Sequence, residues 1–204
     1  LEDFGDDRLR EAADADAVAT VPLYEAAVDL LVALRAHPAS ELRAYDRAEL
    51  QREAGLLTEW YCPAVGAAAD VAGYRAAWDA VLDRAEPLIP VAVLRDYHAE
   101  NLVSLLQEAR RDVDPALEDR MLARYRAATG EGDSFMDAYH VLGAQRNAKI
   151  IGIFTRLWKR DGKPRYPALC PRVWGYLERD LTHPVLAPVA RWFDDNLPPE
   201  WRGD

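Results

Sequence analysis

Apolar residues recur at helical spacing along most of this chain. Leu23, Ala26, Ala27, Leu30, Leu31 and Leu34 share one face, and Pro38 closes that run. Asp46 followed three residues later by Glu49 reads as a capping box. It opens a second helix whose stripe is Leu50, Ala54, Leu57 and Trp60 and whose stop is Cys62-Pro63. A third helix is expected from about Asp70 to Arg84, with Val71, Tyr74, Ala77, Trp78, Val81 and Leu82 facing inward. Leu102 to Ala109 continues the pattern, and Asp114-Pro115 supplies a cap and a first-turn proline for a helix carrying Leu117, Met121, Leu122 and Tyr125. The longest helix is expected from Asp133 or Ser134 to Lys159, and two more from Pro171 to Leu181 and from Pro184 to Asn196. One segment breaks the period: Val91 to Leu94, after Pro90, is a short apolar run of the kind that makes a buried strand. The fold class is therefore mainly α with a small β component.

Composition narrows the functional classes. Half of the 204 residues are hydrophobic, enough for one substantial core, and no apolar run approaches the length of a membrane span. The formal charge of −10 repels nucleic-acid phosphate, and the basic stretch from Arg156 to Arg165 is diluted by Asp161, Gly162 and Pro164. The partner expected is a small molecule, with neither nucleic acid nor membrane, in the cytoplasm. Cys62 and Cys170 stand far apart with no second thiol or histidine near either, so both are read as buried apolar residues.

The chemistry is expected where the candidate strand empties into polar residues. Asp96 and Asn101, five positions apart, match the spacing by which a phosphoryl-transfer loop places a base and a metal ligand. The alternative left open by these residues alone is a turn in which Asp96 and Asn101 only cap backbone N–H groups. On the long helix, Gln145, Arg146 and Lys149 interrupt the apolar stripe. They either converge on one patch or form a solvated face.

The run Arg95-Asp96-Tyr97-His98, with Asn101 after it, resembles the catalytic loop of the aminoglycoside phosphotransferase and choline kinase superfamily. Within it the chain is most similar to the bacterial anomeric kinases that phosphorylate N-acetylmuramate and N-acetylglucosamine in cell-wall recycling. Gln145-Arg146, Lys149, Gly152-Ile153-Phe154, Arg156-Leu157, Arg160 to Lys163, Tyr166 and Pro171-Arg172-Val173 carry the narrower likeness. Leu94 stands where the family has a histidine two before the aspartate. The opening Leu1-Glu2-Asp3-Phe4-Gly5-Asp6 resembles the hinge between the two lobes of such kinases.

The resemblance implies a protein-kinase-like large lobe over residues 1–204, beginning at the hinge. ATP and Mg²⁺ are its cofactors. Asp96 is the implied base, Asn101 the metal ligand, and the carbonyl of Leu1 and the N–H of Asp3 the contacts to adenine. Arg146 is the implied partner of a substrate carboxylate, because such a group needs a fixed, bidentate cation, and Glu59 the partner of sugar hydroxyls. The small β-rich lobe and a second metal-binding aspartate, expected on a strand soon after Asn101, have no counterpart in the sequence. A stretch is therefore expected to be missing near 101–103. Two alternatives stand beside the amino-sugar kinase: an aminoglycoside or choline-like phosphotransferase, and a binding module without catalysis.

Overall fold

The computed structural model describes residues 19–35, 46–85 and 99–203. These residues form helices, and there is no strand among them. The expected strand at Val91–Leu94 lies outside the described residues, so the small β component has no support here.

Eight helices carry the described fold: α1 (Thr20–Leu34), α2 (Arg47–Ala54), α3 (Val71–Leu82), α4 (Ala99–Leu106), α5 (Pro115–Thr129), α6 (Ser134–Lys159), α7 (Cys170–Leu181) and α8 (Ala187–Asn196). Their starts follow local chemistry. Asp46 accepts a hydrogen bond from the Glu49 N–H, Asp70 from Gly73 and Asp114 from Ala116. Each satisfies an N–H that the first turn leaves without a partner. The other half of the expected capping box is diverted, since the Glu49 carboxylate is gripped by Arg52 at 2.7 Å. α5 ends on Gly130 at φ 71°, a left-handed cap that glycine reaches without penalty.

α6 is the axis of the molecule, with α2, α4 and α7 packed along it, while α1 lies on α5 and α8 on α3. Trp78, Trp174, Tyr74, Phe193, Met121 and Ile151 are fully buried at the centre. The apolar stripe read for α3 holds except for Val71, which is 51% exposed at the first turn.

The second helix departs from the reading in an informative way. Beyond Ala54 the chain widens into a π-turn over Leu57–Tyr61, and Cys62-Pro63, read as a stop, instead begins a further helical turn, Cys62–Ala64. Leu50, Ala54, Leu57 and Tyr61 are buried at i, i+4, i+7 and i+11, so the stripe ends on Tyr61 and Trp60 stands half-buried beside it. Part of the reason lies in α6. A Cβ at Gly152 would come within 2.4 Å of the Leu56 carbonyl carbon and oxygen, so the two backbones meet here with no side chain between them. π-turns of this kind are frequent at functional sites.

Candidate functional site

Of the expected residues, Asn101, Arg146 and Glu59 fall among the described ones. Leu1, Asp3 and Asp96 lie outside the described residues. Asn101 lies in α4, a helix and not a loop.

Arg146 is engaged within the protein. It sits part-buried on α6 and donates from Nη1 to the carbonyl of Gln107, just past the end of α4, at 3.3 Å. Its neighbours on the helix are used in the same way. Gln145 is fully buried and donates to the Leu50 carbonyl at 2.9 Å, and Lys149 pairs with Glu53 at 2.7 Å. The polar interruption of the stripe is thus mainly a set of clamps between α6, α2 and the end of α4. Glu59 lies elsewhere, exposed on the π-turn. Gln145 stands level with Leu50 and Gly152 level with Leu56, which puts Glu59 beyond Gly152 along α6. At 1.5 Å per residue, the ten positions from 146 to 156 span about 15 Å, so Arg146 and Glu59 stand nearly three turns of α6 apart.

The π-turn and the facing end of α6 form the better candidate site. The Glu59 carboxylate is exposed, and the buried indole N–H of Trp60 has no acceptor among the described residues. Tyr61 of the π-turn, with Val65, Thr155, Trp158, Pro167 and Cys170, lines an apolar cavity of about 200 Å³. Of the aromatics that could floor a sugar site, Trp78 and Tyr61 are instead core, at 0% and 2% exposure. Burial pushes the Cys170 thiol up to about 11 and the Cys62 thiol to about 12, so both are inert at neutral pH.

A second polar centre escaped the sequence reading. Asp180 on α7 is fully buried and accepts from His140 Nδ1 at 3.0 Å, Gln107 Nε2 at 3.2 Å and Asn147 Nδ2 at 3.4 Å. Burial holds its carboxyl above the usual carboxylate range. The His140 ring stacks on His183 at 4.4 Å. Beside it Glu118 takes a bidentate pair from Arg179, both bonds at 2.8 Å, and a bond from the Tyr139 hydroxyl at 2.7 Å. The only advance signal was a set of polar residues on helix faces, which periodicity reads as solvent-facing. These networks join the end of α4 with α5, α6 and α7 and, of their buried side-chain atoms, leave only Asn147 Oδ1 and His183 Nδ1 without a hydrogen-bond partner among the described residues.

No group of three or more acidic, histidine or cysteine side chains among the described residues is placed to hold a metal. Two carboxylates near α4 that might have served are engaged: Asp112 is paired with Arg172 at 2.5 Å, and Asp114 caps α5. No described helix is long and apolar enough to cross a membrane.

No family model matches the chain. Among curated proteins, an N-acetylmuramate/N-acetylglucosamine kinase of Caulobacter vibrioides is 36% identical over 249 aligned positions, covering 99% of this chain and 68% of the relative. Kinases of the same name from Pseudomonas aeruginosa and Pseudomonas putida are 31% and 29% identical, each match covering 82% of this chain and 61% of the relative. The chain spans less than two thirds of the length of these two.

Proposed function

The chain belongs to the family of N-acetylmuramate/N-acetylglucosamine kinases, and on that premise we propose that it phosphorylates such an amino sugar at its anomeric hydroxyl. The observation that carries this reading is the match over nearly the whole chain to a kinase of that name, joined to the Asp96–Asn101 spacing. Asp96 orients the acceptor hydroxyl and takes its proton as the oxygen attacks. ATP supplies the phosphoryl group, with Mg²⁺ held in part by Asn101 offsetting the phosphate charge. The Leu1 carbonyl and Asp3 N–H hold the adenine edge. The fold assigned is the large lobe of the aminoglycoside phosphotransferase type, and the setting is the recycling of peptidoglycan sugars in the cytoplasm. The described residues supply no metal-binding carboxylates, so the nucleotide half of the site rests on Asp96, Asn101 and the first residues of the chain.

Asp96→Asn tests the reading. It should lower sugar-dependent ATP turnover at least about a hundredfold, the low end of what a general base contributes, with thermal unfolding unchanged. Near-normal turnover would remove Asp96 from the reaction.

A second reading has its own support. The second metal-binding aspartate expected soon after Asn101 has no counterpart in the sequence. A chain without that aspartate would hold the sugar and transfer nothing. Calorimetric sugar binding without any phosphorylated product would favour this reading over the first.

A further inference from the structure

We propose that Arg156, rather than Arg146, reads the carboxylate of the acidic sugar, with Glu59 and Trp60 completing that subsite. This rests on the amino-sugar reading above and names the residue that separates N-acetylmuramate, which carries a carboxylate, from N-acetylglucosamine, which carries none.

The argument begins with register. Gln145, Lys149, Gly152 and Arg156 follow one another at i, i+4, i+7 and i+11, a single stripe along α6. The first three rungs have known partners on the neighbouring segment: the Leu50 carbonyl, the Glu53 carboxylate and the Leu56 backbone. The two segments therefore run side by side in the same direction. The next rung sets Arg156 at the level of Glu59 and Trp60. Thr155 and Tyr61, which line the same cavity, confirm the level.

The use made of each rung then changes abruptly. Gln145 and Lys149 are engaged, and Arg146 beside them holds the Gln107 carbonyl. Arg156 has no hydrogen bond or ion pair with any described residue, and its Nε is shut off from solvent with no acceptor. The acidic side chain whose field reaches it, Asp161, is gripped by Arg160 at 2.6 and 3.2 Å. A guanidinium N–H removed from water without a partner is costly in isolation, and a bidentate carboxylate removes that cost. On the same rung stand an exposed carboxylate, Glu59, suited to accept from sugar hydroxyls, and the unmatched Trp60 N–H. The cavity lined by their chain neighbours Thr155 and Tyr61 is apolar, as a site for a sugar's less polar face and acetyl methyl requires.

Equilibrium binding of N-acetylmuramate and N-acetylglucosamine without nucleotide tests the assignment independently of catalysis. Arg156→Gln should weaken N-acetylmuramate at least about tenfold and leave N-acetylglucosamine within about twofold. Arg156→Lys, which keeps the charge but not the fork, should fall between. Arg146→Gln should lower the melting temperature and change both sugars equally. Equal effects of Arg156→Gln on the two sugars, or discrimination lost at Arg146 instead, would overturn the assignment and leave the kinase reading standing. A wild-type chain that binds neither sugar would overturn both.

Discussion

Single residues in this protein are governed by what stands opposite them across α6. Gly152 is the clearest case, because the groups a Cβ would strike are backbone atoms of Leu56 that no rotamer change can move. Gly152→Ala should destabilise by about 2 kcal/mol, within the usual range for overpacking. Gly175, in the middle of α7, has nothing within 4 Å of its missing Cβ. Gly175→Ala should therefore stabilise by about 0.5–1 kcal/mol, the helix-propensity gain alone. Urea unfolding of the two variants checks both signs, and a gain at Gly152 would show that the π-turn can yield. Arg146 carries the same lesson. Sequence offers it as a ligand residue because it is a cation on a stripe of polar residues, but a carbonyl just past the end of α4 uses it first.

At the level of elements, α5, α6 and α7 are joined by one ionised group. Glu118 on α5 receives Tyr139 from α6 and both nitrogens of the Arg179 fork from α7. Its side chain is 7% exposed and that of Arg179 is 38%, so the pair is only half shielded from water. Glu118→Gln should cost about 2 kcal/mol, less than the 3–5 of a fully buried pair broken on one side. A loss under about 0.5 kcal/mol would mean that water replaces the carboxylate. The surface ladder between α1 and α5 differs. Arg120 with Glu25 and Arg124 with Asp29 are exposed pairs that water screens, and removing either should leave the urea midpoint close to that of the wild type.

For the whole molecule, the polar centre makes stability depend on pH. Partial burial and the stacked His140 ring hold His183 below the usual histidine range. The unfolded chain therefore binds this proton more readily than the folded one. Stability is intact above the ordinary value of 6.5 and is lost as pH falls below it. Asp137, 3.8 Å from His183, opposes the shift, and Asp180, whose carboxyl is raised, contributes with the opposite sign at lower pH. The comparison of variants isolates His183. The wild-type protein should lose more stability between pH 7.5 and 5.5 than His183→Gln does. Equal losses would exclude His183 as the source.

Local chemistry determined most of the elements without help from the fold. Asp46 and Asp114 cap the helices they were expected to cap, and the periodicity of α6 and α7 places their ends within a residue, because N–H satisfaction and apolar spacing act within a few residues of chain. The family was legible in the same way, as motifs of fixed spacing. Partners distant in sequence were not. Nothing in the run from Leu50 to Cys62 announces a π-turn, since part of its cause is Gly152, some ninety residues on, pressing a bare backbone against Leu56. Nor can spacing tell a guanidinium already held by a carbonyl from one with none, although Arg146 and Arg156 share a helix. Which polar side chains are used up in holding helices together, and which remain to meet a ligand, is decided only when the helices meet.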